Sequence, residues 1–145
     1  MYKRILVPLD GSPLSEAILP HVRVIAQGMD SEMLLLHVIP TSAPEFSSPS
    51  PPFARNLVQD QRRDATRYLK DLCAKLERDS ARVTYLIREG AVSETILEVA
   101  ELMQADMIAM STHGRSGVRL LLLGSVTYDV VRHSPLPVLV IRSKL

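Results

Sequence analysis

One glycine in the C-terminal third of the chain opens a helix whose start has the chemistry to bind an anion. Gly124 and Ser125 begin an amphipathic stretch that predicts a helix, and nine residues separate Gly124 from Gly114. The first turn of a helix carries unpaired N–H groups and a partial positive charge, and glycine lets an anion approach the backbone closely. A phosphate site at this helix start is one interpretation. The alternative is an ordinary helix start in which Ser125 is the N-cap and nothing binds.

A second polar cluster, Asp10, Gly11 and Ser12, comes directly after the first apolar run of the chain. A carboxylate at this place can accept hydrogen bonds from a ligand, or it can cap the bend at Gly11 and Ser12. Both interpretations stay open from the residues alone.

The elements that must position these clusters alternate along the chain. Apolar runs predict five strands, at 4–9, 33–39, 83–88, 106–110 and 137–142. Amphipathic stretches predict four helices, starting at Ser12, from about 55 to 79, over 93–103, and from Gly124 to about His133. This alternation predicts an α/β fold: a single-domain, Rossmann-like three-layer sandwich with a five-stranded, mainly parallel sheet over residues 1–145.

Two proline-containing segments modify this outline. Pro20 lies inside the first predicted helix and should bend it, because proline cannot donate to the carbonyl four residues back. A Pro/Ser-rich stretch at about 41–54 is expected to be a mobile loop, and a partial lid near Val38.

In an open parallel sheet, ligands bind beyond the carboxyl ends of the strands. The candidate residues therefore follow strands one, two and four, where polar and glycine residues concentrate. The third of these segments contains Ser111, His113, Gly114 and Arg115. Arg115 has two interpretations: a charged donor that reaches a phosphate tail, or a solvated loop arginine. His113 likewise either contacts phosphate or holds the loop.

Composition limits the other functions. The chain has 145 residues, a net charge of +1 and one cysteine. These values argue against a nucleic-acid partner, a disulfide and a cysteine-based zinc site. No run of apolar residues is long enough to span a membrane, and no signal peptide is recognised, so a cytoplasmic location is expected. The four histidines lack metal-ligand spacing, and we expect no metal site and no catalytic residue.

Three segments together resemble the universal stress protein family. They are K-R-I-L-V-P-L-D-G-S near the N-terminus, L-L-H-V-I around Val38, and the tail over 105–142. The family's nucleotide signature is G-x2-G-x9-G-[S/T], and its second half matches at Gly114, Gly124 and Ser125. Ser111 occupies the position of the first glycine.

The resemblance implies an ATP-binding protein, with AMP or ADP as related ligands and Mg²⁺ as a candidate companion ion. It implies that Asp10 and Val38 meet the adenine or ribose, with Pro8 and Leu9 lining that end. The phosphates would lie at Gly114, Gly124, Ser125 and Val126.

The resemblance also implies a regulatory or stress-response protein that forms a homodimer through the strand at 137–142. A weak ATPase and an interaction module that binds no nucleotide are the alternatives. Neither a Walker A loop nor a nucleophile elbow is present in the sequence, so at most slow hydrolysis is expected.

Overall fold

The computed structural model of the chain describes residues 1–41, 52–112 and 123–143. The strands are β1 (Arg4–Pro8), β2 (Glu32–Pro40), β3 (Arg82–Gly90), β4 (Met107–Ser111) and β5 (Val138–Ile141). The helices are α1 (Pro13–Glu16), α2 (Leu19–Met29), α3 (Pro52–Arg78), α4 (Val92–Leu102) and α5 (Ser125–His133).

All five strands are parallel and lie in the order β3-β2-β1-β4-β5. The chain builds outward from β1 to β3, then returns to the other side of β1 for β4 and β5. The strand order therefore reverses between β1 and β4, which is where open α/β sheets form their binding crevice. The predicted α/β fold is confirmed.

The sheet separates two apolar cores because successive strand residues point to opposite faces. In β1, Ile5 and Val7 belong to one core and Leu6 belongs to the other. The nearly continuous apolar sequence of β2 follows from the same arrangement, since helices cover both of its faces. β5 is an edge strand, and its four residues are only partly buried.

The first predicted helix is divided into α1 and α2 at Ala17 and Ile18. Ser12 is the N-cap of α1, and its side chain accepts a hydrogen bond from the Ser15 N–H. Pro20 lies in the first turn of α2, where its missing N–H costs no intrahelical hydrogen bond. The expected bend is thus a break in the helix, two to three residues before the proline.

The long helix α3 begins at Pro52, three residues earlier than predicted. The expected loop at 41–54 is therefore too long at its C-terminal end, because proline suits the first position of a helix. The remainder of that stretch, 42–51, lies outside the described residues, and its expected mobility and lid role stay predictions. Among the described residues, no helix is both long and apolar enough to cross a membrane.

Candidate functional site

A cavity of about 580 Å³ opens at the carboxyl ends of β1, β2 and β4. Its floor is the reversal point of the sheet, and its walls come from α3, from the segment between β1 and α1, and from the start of α5. Eight of the residues singled out from the sequence line it: Pro8, Leu9, Asp10, Val38, Ser111, Gly124, Ser125 and Val126. The other three, His113, Gly114 and Arg115, lie outside the described residues.

Asp10 shapes the turn between β1 and α1. Its Oδ1 accepts a hydrogen bond from the Ser12 N–H at 2.9 Å and another from the Ser12 hydroxyl at 2.5 Å. Gly11 between them has a φ of +84°, a conformation that favours glycine. Asp10 therefore does cap the bend, and it also lines the cavity. The two interpretations of this residue are compatible.

His37 lies at the end of β2 beside Val38, and both line the cavity. The His37 Nδ1 is 2.9 Å from the carbonyl oxygen of Leu9, which ties β2 to the end of β1. The Leu9 N–H donates to the Leu36 carbonyl at 2.8 Å, so the two strand ends are also joined by their backbones. Sequence reasoning considered His37 only as a metal ligand and missed this place in the cavity wall.

Ser111 ends β4 as a buried residue, and its hydroxyl donates to the Ser15 carbonyl at 3.3 Å. This bond links α1 to Ser111, which occupies the first glycine position of the nucleotide signature. The serine hydroxyl therefore has a local partner.

The N-cap of α5 is Gly124, which has no side chain to accept from the first turn. Ser125 is instead the first helical residue, and it is exposed. The alternative in which Ser125 caps its own helix is therefore wrong. The first-turn N–H groups of a helix have no acceptor within that helix. Gly124, Ser125 and Val126 bring this uncapped helix start to the cavity.

One face of α3 forms a wall that sequence reasoning missed, made of Gln61, Asp64, Ala65 and Tyr68. The Tyr68 hydroxyl is buried and makes no hydrogen bond of good geometry with a described residue. Burial raises the pKa of this hydroxyl, and the carboxylates of Glu16 and Asp10 raise it further. Tyr68 therefore stays neutral at physiological pH. The spacing of these residues is the signal that could have marked them, since i, i+3, i+4 and i+7 share one side of a helix.

The charges around the cavity are unevenly placed. Asp10 and Asp64 are the carboxylates among the described lining residues, and no lysine or arginine is found in that described set. Among the described lining residues, positive potential therefore comes from helix starts: that of α5 at Gly124, and that of α4, whose first residue Val92 also lines the cavity. The arrangement suits a ligand that carries both hydrogen-bond donors and an anionic group. The described residues contain no group of three metal-ligating side chains.

The family model for universal stress proteins matches residues 1–142. The chain belongs to the universal stress protein family. Universal stress protein MJ0577 from Methanocaldococcus jannaschii is 31% identical over 157 aligned positions, which cover 99% of this chain and 97% of the relative. Universal stress protein G from Salmonella typhimurium is 32% identical, with coverage of 98% and 100%.

Solved structures of the family superimpose over nearly the whole chain. The structure of MJ0577 has a TM-score of 0.87 at 34% identity and covers 99% of this chain and 98% of its own. UspA from Lactobacillus plantarum also has a TM-score of 0.87, at 28% identity, with coverage of 97% and 98%. Two more distant structures, both 19% identical, share the fold. One is a universal stress protein in complex with cAMP, with a TM-score of 0.73 and coverage of 99% and 98%. The other is an Arabidopsis thaliana family protein with AMP bound, with a TM-score of 0.70 and coverage of 98% and 92%.

Proposed function

We propose that this universal stress protein is a regulatory, stress-response protein that binds an adenine nucleotide, with ATP as its ligand. The observation that carries the proposal is the uncapped start of α5, which lines a cavity at the reversal point of a parallel sheet. An anion is stabilised there by unpaired N–H groups and by the helix dipole. A nucleotide would place its phosphates at this helix start.

The base and sugar would occupy the other end of the cavity. Leu9, Val38 and Ile96 give the cavity apolar surface, and Asp10 and Asp64 give it carboxylate acceptors. Ribose hydroxyls and the adenine amino group are hydrogen-bond donors, so acidic and apolar surface suits them better than it suits phosphate. This lining supports a nucleotide whose base and sugar lie away from the start of α5.

The family supports the same ligand class, because a cAMP complex and an AMP complex are known for proteins of this fold. Nucleotide occupancy would act by selecting a conformation or a partner. A cytoplasmic location and a Mg²⁺ ion beside the phosphates belong to the same proposal.

The proposal includes a homodimer that pairs through β5. Among the described strands, this one lies at the edge of the sheet and has no partner on its outer side, and such an edge favours pairing with another chain. Antiparallel pairing of two copies about a two-fold axis would satisfy both edges.

Two experiments test nucleotide binding: analysis of the nucleotide that the purified protein carries, and calorimetric titration. The purified protein is heat-denatured and the supernatant is analysed for adenine nucleotides, and nucleotide-free protein is titrated with ATP, AMP, cAMP and GTP, with and without Mg²⁺. We expect ATP to bind at least about tenfold more tightly than GTP. Absence of binding by every adenine nucleotide would contradict the proposal and favour an interaction module that needs no nucleotide.

A further inference from the structure

The Thr127 hydroxyl joins the start of α5 to the end of β4. Thr127 is 3% exposed, and its Oγ1 donates to the Ser111 carbonyl at 3.0 Å. The Thr112 carbonyl lies 3.4 Å from the same oxygen, so the proton is shared between two consecutive carbonyls. No other side chain connects α5 with β4 by a hydrogen bond within the described segments.

The Ser111 carbonyl lies beyond the part of β4 that is paired with β1. The N–H groups of Ile108 and Thr112 donate to β5, so backbone groups of even-numbered residues face β5 and those of Ser111 face the β1 side. Pairing with β1 ends at Leu6 and Ile108. The next residue of β1 on this side is Pro8, which has no N–H to donate to β4. The Thr127 hydroxyl therefore supplies a donor where the sheet supplies none.

The backbone next to this bond is attached on both sides. The Gly124 N–H donates to the Thr112 carbonyl at 2.7 Å, and the Thr112 N–H donates to the Ile141 carbonyl at 2.9 Å. One contact holds the N-cap of α5, and the other holds the end of β4 against β5. The position of the helix start over the cavity thus depends on a backbone bond at Gly124 and a side-chain bond at Thr127.

We propose that Thr127 is a positioning residue: its hydroxyl fixes the uncapped start of α5 relative to the carboxyl end of β4, at the place where the ligand's phosphates bind. This inference rests on the proposed nucleotide function. Valine has nearly the same shape and fills a buried site without a polar atom, so packing alone does not require threonine here. The hydroxyl fixes the orientation of the start of α5. This orientation matters more for binding the phosphates than for binding the nucleoside.

The test compares Thr127→Val with Thr127→Ser by titration with ATP and with adenosine. Thr127→Val should weaken ATP binding by at least about tenfold and change adenosine binding by less than about threefold. Thr127→Ser retains the hydroxyl and should stay within about threefold of the wild type for both ligands. Thr66→Val is the matched control, because the Thr66 hydroxyl donates only to Arg62 within α3 and Thr66 does not line the cavity.

Equal losses for ATP and adenosine in Thr127→Val would overturn the inference, since they would indicate general damage to the cavity. Unchanged ATP binding would also overturn it. Amide hydrogen exchange at Gly124, measured without ligand, should be faster in Thr127→Val than in wild type, and equal exchange would show that the hydroxyl does not fix the helix start. If wild-type protein binds neither ligand while exchange at Gly124 still rises, the proposed function fails but the structural contact is real. The role of Thr127 in phosphate binding is then refuted together with the proposed function.

Discussion

The His37 imidazole and the Leu9 carbonyl are in contact across β2 and β1, with 2.9 Å between Nδ1 and the oxygen. A carbonyl oxygen only accepts hydrogen bonds, so Nδ1 must carry the proton. In the neutral ring this leaves Nε2 as an acceptor. Because His37 lines the cavity, the contact decides which hydrogen-bonding group the imidazole has available for a ligand.

This contact predicts the tautomer of His37. With the ring in its neutral form, long-range ¹⁵N NMR should show His37 protonated at Nδ1 and unprotonated at Nε2. The exposed His21 has no hydrogen bond to a described residue through its ring and serves as the reference for a freely exchanging imidazole. A protonated Nε2 with an unprotonated Nδ1 in His37 would contradict the prediction.

A side chain at the start of α5 should interfere with phosphate binding. Gly124→Val should weaken ATP binding by at least about 1.4 kcal/mol, a tenfold change, because the side chain would occupy the approach to the first-turn N–H groups. Gly28→Val in α2 is the matched control, since a Cβ there meets no atom within 4 Å. Calorimetry that gives equal ATP affinity for Gly124→Val and Gly28→Val would place the phosphates elsewhere.

Ser111→Gly should weaken nucleotide binding rather than strengthen it. The serine hydroxyl donates to the Ser15 carbonyl at 3.3 Å, and glycine would lose that bond and add backbone freedom. Ser111→Ala separates the two effects, because it removes the hydroxyl and keeps the Cβ. Thermal unfolding and ATP affinity are measured for both variants under the same salt and magnesium. A gain of about tenfold or more in affinity for Ser111→Gly would show that the position needs a glycine.

The homodimer should depend on the free edge of β5. The carbonyls of Pro137 and Ile141 accept from β4, so the backbone groups of Val138 and Val140 face away from the sheet. Val140→Pro removes one outward N–H and no bond to β4. It should convert a dimer into a monomer while the fold is retained, as judged by light scattering and circular dichroism.

Leu139→Pro provides the contrast, since its backbone faces β4 and its substitution should destabilise the fold itself. A wild-type protein that is monomeric at micromolar concentration, or a Val140→Pro variant that stays dimeric, would contradict pairing through this edge.

Cys73 should be unreactive in the folded protein. Burial, together with the nearby Glu77 carboxylate, raises the pKa of its thiol to about 11. Since the thiolate is the reactive form, alkylation at about pH 8 should be at least ~100-fold slower in native protein than in unfolded protein. The native rate should rise only as the pH approaches 11. Equal rates in the native and unfolded states would contradict the buried position of the thiol.

The sequence predicts most of this fold because the strands are buried on both faces. The run over 33–39 in β2 is apolar except for His37, and the ends of such runs can be recognised to within a residue or two. The exact break before α2 is less predictable. Pro20 excludes one hydrogen bond, but tertiary packing determines which residues leave the helix.

The same reasoning places the strand ends of the candidate site but not its helical wall. Parallel strands finish at one edge, so Asp10, Val38 and Ser111 are expected to be neighbours. Tyr68 was missed because its periodicity puts it beside the apolar stripe of α3 without specifying which way the helix is rotated over the sheet. Thr127 was missed because its partners are backbone carbonyls, which have no signature in the sequence.

The two ends of the described chain lie at opposite ends of the parallel strands. Met1 is 98% exposed and precedes β1, at the amino ends of the strands and away from the cavity. Arg142 and Ser143 follow β5 at the carboxyl ends, the side on which the cavity opens, and there the Ile141 carbonyl accepts from the Thr112 N–H. A biosensor surface or an affinity tag attached at Met1 would leave the cavity facing solution. The same attachment after Ser143 would lie on the cavity's side of the sheet.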